Sequence, residues 1–294
     1  QWNVDGDLVD GSIATSAILL NIVEDTTPQL GGMLDVNGNS IVLRESPKLS
    51  DELEKWQSDE KKHAEIWNMF TMIIPKNIRA DVVEFSIYTD GRDGELAGVE
   101  RNSIDSSKWT ILVDVIDAYP LGNLDKNDLT YSLVHEYGHI LTASATQMDI
   151  DPDLLDSSNS PFYNGVDAED WFQSKVDQCS PQYLTVDGCT KPNSYLNKFF
   201  QKYWREIYPE FDAIQYIEND EQYYDALDNF YEKYKDQFVT DYAAANPDED
   251  IAESWTAFVL NEKPMGDSIS DEKILFFYEY PELVKIRETI RNRL

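Results

Sequence analysis

The first clear hydrophobic periodicity of the chain is helical and lies between Ser50 and Pro75. Its apolar residues recur at helical spacing, which places them on one face of a helix. They are Leu53, Trp56, Ile66, Trp67 and Phe70. The pattern predicts a helix that begins with Ser50 as N-cap and ends before Pro75, because proline has no N–H to continue the hydrogen bonding.

The next pattern changes from strand-like to helical. Residues 82–88 and 109–116 are rich in β-branched and aromatic residues and predict two strands. Residues 127–145 return to helical spacing, with Asn127 as the predicted N-cap and Asp128 where the helix dipole favours a negative charge. We therefore predict an α+β fold with a small twisted sheet.

The rest of the chain is predicted from composition shifts and turn signals. Residues 1–48 contain candidate strands at 13–23 and 40–44, separated by glycine-rich turns, and we interpret them as a β-rich N-terminal segment. Residues 49–294 are predicted to form one domain, interrupted by a loop-rich insertion at about 147–193. Helices are predicted at 194–207, 220–236, 248–262 and 271–294, and Asn246-Pro247 is predicted to open the third of them. We expect their many aromatic residues to form the helix-packing core.

The charge balance limits the possible partners. The chain has 24 basic and 56 acidic residues, a net charge of −32, which repels nucleic acids and anionic lipid surfaces. No apolar run reaches the roughly 18 residues that span a bilayer. The acidity favours solubility outside the cell, although attraction of basic substrates or calcium is an alternative. The acidic loops 90–94 and 149–153 do not match an EF-hand, so we favour solvated turns.

Cys179 and Cys189 are the two cysteines of the chain. They stand ten residues apart in a segment with Ser180, Pro181 and Gly188, which is typical of an exposed loop closed by a disulfide. A bridge predicts an oxidising, secreted or cell-surface location. Two unrelated thiols in a cytosolic protein are the alternative.

The strongest chemical signal is the run from His135 to His139, His-Glu-Tyr-Gly-His. Residues four apart share a helix face, so both imidazoles can bind one metal ion. Glu136 follows the first histidine and is placed to take a proton from water. Gly138 would let a neighbouring backbone approach closely. The motif predicts a catalytic zinc site, with two surface histidines on a solvated helix as the alternative.

A catalytic zinc needs a third protein ligand. His63 is the remaining histidine, and its charged neighbours predict an exposed helix residue instead. A carboxylate on a later helix is the better candidate. Glu249 and Glu253 are four apart, so that one can bind the metal while the other accepts a hydrogen bond from a ligand imidazole. Their alternative role is to complement the dipole at a helix start.

These two motifs together resemble the gluzincin metallopeptidases. A tyrosine seven residues before a glutamate, followed by a second glutamate, is similar to the anthrax lethal factor branch of that family. The resemblance implies a zincin-like metallopeptidase domain, with Glu249 as third zinc ligand, Glu253 as supporting acid and Tyr242 as the phenol that stabilises the oxyanion. The gap of 110 residues between His139 and Glu249 is longer than the family's usual spacing. Glu253 itself and the pair Glu169 and Asp170 therefore remain alternatives for the third ligand.

The predicted function is zinc-dependent hydrolysis of peptide bonds by a monomer that acts on a peptide or protein. Glu136 would serve as general base. The strand 110–116 could bind extended peptide at its edge or be paired in the core. A secreted zinc-containing binding or adhesion protein without turnover is the alternative.

Overall fold

The computed structural model describes residues 55–56, 58–89, 91, 95–155, 168–217 and 219–294, with the short strands noted below and without the side chains of 168–170. The predicted start at Ser50 and the strand 13–23, apart from residues 20–21, lie outside the described residues. The chain is α+β, as the sequence predicts. It divides into two compact units, residues 1–136 with 290–294, and residues 137–289. The boundary predicted near residue 48 stays a prediction.

The first unit contains a four-stranded mixed sheet. Its strands are β3 (Ser40–Val42), β4 (Val82–Tyr88), β5 (Ala97–Arg101) and β6 (Trp109–Asp114), in the order β3-β4-β6-β5. β4 pairs in parallel with β3 and β6, whereas β5 is antiparallel to β6. A separate antiparallel pair joins β1 (Leu20–Asn21) and β2 (Gln29–Leu30).

Of the two roles considered for the strand at 110–116, pairing within the sheet is observed and a free edge is wrong. β6 has a hydrogen-bonded neighbour on each side, and the edge strands among the described residues are β3 and β5. The sequence did not predict β5, because Ala97–Arg101 is short and carries glycine, glutamate and arginine instead of a β-branched run.

Helix α1 (Glu60–Ile73) belongs to the same unit and buries the apolar face that the sequence predicts. Asp59 caps it by accepting a hydrogen bond from the Lys62 N–H. Ile66, Trp67 and Phe70 are buried. His63 on the same helix is also buried, so its predicted exposure is wrong. The Nε2–H of His63 donates to the Trp56 carbonyl oxygen, 2.8 Å away, which satisfies the ring inside the protein.

Helix α2 (Lys126–Thr142) carries the His-Glu-Tyr-Gly-His motif. Its predicted N-cap, Asn127, is wrong by two residues. The Asp125 carboxylate accepts hydrogen bonds from the backbone N–H groups of Asn127 and Asp128, at 3.1 and 3.2 Å. Asparagine and aspartate are both common N-cap residues, and the helix begins directly after Asp125.

The second unit is mostly helical. The segment predicted as loop-rich contains α3 (Pro152–Leu155), α4 (Ala168–Cys179) and the antiparallel strands β7 (Met148–Ile150) and β8 (Gly188–Thr190). The predicted disulfide is present between Cys179 and Cys189, with the Cα atoms 5.5 Å apart. It connects the end of α4 to β8.

The C-terminal helices follow the predicted order with two differences. They are α5 (Tyr195–Phe199), which continues as a π-turn at Phe200–Trp204, α6 (Tyr208–Ile214), α7 (Asp220–Tyr234), α8 (Pro247–Leu260), α9 (Ile269–Phe276) and α10 (Pro281–Arg291). The helix predicted at 194–207 ends at Trp204, and the following helix, α6, was not predicted. The helix predicted at 271–294 is broken before Pro281, because proline disfavours a helical conformation in the preceding residue.

Aromatic side chains fill much of the second unit, as predicted. Phe230, Phe276 and Phe277 are buried, and Trp255 contacts Phe258 and Phe277 at ring distances of 5.4 and 5.7 Å. Tyr224 is an exception, because 65% of its surface is exposed. No described helix has the length and apolar character needed to cross a membrane.

Candidate metal centre

Helix α2 is continuous through the motif, so His135 and His139 lie one turn apart on the same face. One possible ligand atom each from His135, His139 and Glu249 lies within 4.8 Å of the other two. Among the described residues, no other group of three or more potential metal ligands lies this close together. Glu249, and not Glu253, completes the cluster.

The distance between two of the three candidate ligands fits a divalent metal ion. His139 Nε2 lies 3.4 Å from Glu249 Oε2. Two ligands about 2.1 Å from a tetrahedral metal ion are separated by about 3.4 Å. Two imidazoles and a carboxylate are suited to zinc and to several other first-row metals. The residues therefore fit a metal ion of this class, and the donor set alone does not specify zinc.

Helix α8 supplies Glu249 from its first turn. Asn246 caps the helix, and its side-chain oxygen accepts a hydrogen bond from the Glu249 N–H at 2.9 Å. Pro247 occupies the first helical position, where its missing N–H costs nothing. The backbone of the third predicted ligand is thus fixed by a cap that the sequence predicts from Asn246-Pro247.

Helices α2 and α8 approach closely at Gly138. A Cβ atom at this position would lie 2.8 Å from Cδ1 of Trp255 and 3.3 Å from the Cα of Ala252. The close backbone approach predicted for Gly138 is confirmed. It places the turn that carries His139 directly against the helix that carries Glu249.

Asp248, directly before Glu249, forms a contact that the sequence did not predict. Its Oδ2 accepts a hydrogen bond of 2.9 Å from the phenol of Tyr183. Burial raises the pKa of Asp248 to about 6, while the Tyr183 hydrogen bond and the charge of His139 act to lower it. Burial also raises the pKa of Tyr183 well above its usual value, so this phenol remains protonated and donates.

Asp250, directly after Glu249, is fully buried and belongs to a second polar group. Its Oδ2 accepts hydrogen bonds from Trp204 Nε1 at 2.7 Å and from Lys273 Nζ at 2.5 Å. Burial raises the pKa of Asp250 to about 6 and lowers that of Lys273, whereas the attraction between the two acts in the opposite direction on each. Both neighbours of Glu249 are therefore bonded to other elements.

The remaining predicted site residues have different surroundings. Glu136 is buried, as is Glu253, whose Oε2 accepts a hydrogen bond of 2.7 Å from Thr240. The expected bond from a ligand imidazole to Glu253 stays a prediction. Tyr242 lies on the 3₁₀ turn Tyr242–Ala244 before α8 and is half exposed, and its role also stays a prediction.

The remaining predictions concern other acidic residues of the chain. The side chains of Glu169 and Asp170 lie outside the described residues. In the acidic loop 149–153, Asp151 and Asp153 both pair with Lys175, at 2.7 and 3.0 Å. These ammonium contacts favour the solvated-turn interpretation over calcium. Most of the loop 90–94 lies outside the described residues.

Three residues near the site escaped sequence reasoning: Tyr183, Asp248 and Thr240. Asp248 stands in a run of three acids at a helix start, which is a weak signal on its own. Tyr183 is 65 residues distant from Asp248 in sequence, and no local pattern predicts that they meet.

Comparisons with known proteins found no relative of this chain. No protein-family model, curated protein or solved structure matches the chain.

Proposed function

We propose that this protein is a zinc-dependent metalloendopeptidase of the gluzincin type, with His135, His139 and Glu249 as the metal ligands. The observation that carries the proposal is the cluster of their three ligand atoms within 4.8 Å. Two histidines from one helix and a glutamate from a later helix leave a fourth tetrahedral position open, as a catalytic site requires.

Zinc in this site would supply a Lewis acid that polarises a peptide carbonyl and makes water nucleophilic near neutral pH. Glu136, next to His135, would accept the proton of the attacking water and deliver it to the leaving amine. Its buried carboxylate is shielded from bulk solvent, which strengthens its interaction with a nearby positive charge. Tyr242 would donate a hydrogen bond to the developing oxyanion.

Substrate would be held as an extended strand. Because β6 is paired on both sides, a peptide would pair with one of the two described edge strands, and β5 (Ala97–Arg101), which is longer than β3, is the candidate. The Cys179–Cys189 disulfide is typical of a non-reducing compartment, and a secreted or cell-surface location agrees with it. We expect a monomer with no nucleic-acid partner.

The test combines metal analysis with a cleavage assay. The purified protein is freed of metal with a chelator, titrated with zinc, and incubated with a diverse peptide library that is read by mass spectrometry. We expect one zinc per chain and zinc-dependent cleavage inside peptides. Zinc binding without any cleavage would instead support a zinc-containing binding or adhesion protein, and absence of zinc binding would reject both.

A further inference from the structure

Tyr183 lies in the loop that the Cys179–Cys189 disulfide closes, and its backbone is fixed on both sides. Its N–H donates to the side-chain oxygen of Asn197 at 3.2 Å. Its carbonyl oxygen accepts from the N–H and the hydroxyl of Thr190, at 3.0 and 2.6 Å. The covalent loop and three hydrogen bonds therefore set the position of the Tyr183 Cα atom.

The ring of Tyr183 is held as firmly as its backbone. It stacks on Phe200 with 4.6 Å between ring centroids and meets the Tyr208 ring edge-on at 5.8 Å. Only 8% of the residue is exposed. Because aromatic contacts of this kind restrict both side-chain torsions, the direction of the phenol is fixed as well.

The Tyr183 phenol contacts Asp248, the residue directly before the proposed third metal ligand, Glu249. It donates to Asp248, and the following residue, Glu249, points an oxygen to 3.4 Å from His139 Nε2. The hydrogen bond from the Tyr183 phenol gives the Asp248 carboxylate a donor at 2.9 Å. Tyr183 supplies that donor from a rigid support.

We propose that Tyr183 is a positioning residue for the metal centre, which acts through Asp248 to fix the first turn of α8 and so the Glu249 carboxylate. This inference rests on the proposed metal site. Preorganised ligands bind a metal more tightly, because less conformational freedom is lost on binding. Lys273 bonds to Asp250, the residue after Glu249, so Glu249 lies in sequence between two anchored neighbours.

The test is the zinc affinity of Tyr183→Phe. This variant keeps the ring packing and removes the hydroxyl. Supporting residues around metal ligands typically change metal affinity by about 10- to 100-fold, and we expect a loss of about tenfold. Affinity is measured by competition with a chromophoric chelator, which needs no enzymatic activity.

Tyr195→Phe is the matched control. The Tyr195 phenol donates to Glu282 Oε1 at 2.7 Å, so the control removes the same kind of bond at residues outside the cluster. We expect wild-type zinc affinity in this control. An equal loss in both variants would indicate general loosening of the fold and would overturn the inference.

A double-variant cycle tests whether Tyr183 acts through Asp248. In an Asp248→Ala background, Tyr183→Phe should cause no further loss of zinc affinity. A full, additive loss in that background would overturn the proposed route. If the wild type binds no zinc, the proposed function fails; if it binds zinc and Tyr183→Phe binds equally well, only the positioning role fails.

Discussion

Lys273 Nζ lies 2.5 Å from Asp250 Oδ2, and neither side chain is exposed to solvent. Removal of one partner of a buried ion pair typically costs about 3–5 kcal/mol, because the other charge stays buried without its partner. We predict a loss of this size in the free energy of unfolding of Lys273→Met, measured by urea denaturation.

Lys202→Met is the control for this prediction. Lys202 lies 3.8 Å from Glu272 in a largely exposed pair, and such pairs contribute less than about 1 kcal/mol. If the free energy of unfolding of Lys273→Met is no lower than that of Lys202→Met, the buried pair does not stabilise α8.

Gly138→Ala should destabilise the protein although alanine is the better helix former. The new Cβ would lie 2.8 Å from Trp255 Cδ1, and overpacking of this kind costs about 1–3 kcal/mol. Asn127→Ala, an exposed change in the first turn of the same helix, is the control. If thermal denaturation gives Gly138→Ala a melting temperature at or above that of wild type, the close approach of α2 and α8 is wrong.

The stability of the protein should fall as pH is lowered through the range where histidine titrates. Burial lowers the pKa of His63 below its usual value of 6.5. The unfolded chain therefore binds this proton at a higher pH than the folded chain does, and acidification favours unfolding. The stability associated with neutral His63 is present at pH 7 and is lost as pH falls below the unfolded pKa.

His63→Gln isolates this contribution, because the glutamine amide can still donate to the Trp56 carbonyl. Urea denaturation from pH 7 to pH 5 should show a steeper decline for wild type than for the variant. One proton gives a slope of at most about 1.4 kcal/mol per pH unit. Parallel declines would contradict a lowered His63 pKa.

Glu136→Gln should separate metal binding from turnover. The amide has nearly the same shape as the carboxylate but cannot accept the proton of water, and general-base catalysis typically contributes about 10²–10⁴-fold. We predict a loss of at least about a hundredfold in peptide cleavage with zinc affinity near that of wild type. His135→Ala is the contrasting variant and should lose zinc. Undiminished cleavage by Glu136→Gln would exclude Glu136 as the base.

The sequence predicted the parts of the fold and site that depend on local patterns. The helical spacing around His135 and His139, the cap at Asn246 and the strand 82–88 are each encoded within a few consecutive residues. Helical spacing made Glu249 and Glu253 candidates, and the resemblance of two short motifs selected Glu249. The structure brings it to His139 across 110 residues of chain.

The features that the sequence did not predict depend on tertiary contacts. The pairing of β5 with β6 removes the free edge of β6, and no local property of 110–116 indicates it. The Tyr183–Asp248 hydrogen bond likewise joins distant segments. The prediction for His63 was wrong because it relied on the charged residues next to it in sequence. Burial depends instead on which face of α1 a residue occupies, and His63 is on the buried face.

Location of bound zinc in crystals tests the central proposal most directly. Crystals soaked in zinc are measured on both sides of the zinc absorption edge, and the anomalous difference map locates the ion. We predict one strong peak bonded to one imidazole nitrogen each of His135 and His139 and to a Glu249 oxygen, at about 2.0–2.2 Å. A map with no peak among these three side chains, in crystals that bind zinc elsewhere or not at all, would contradict the assignment.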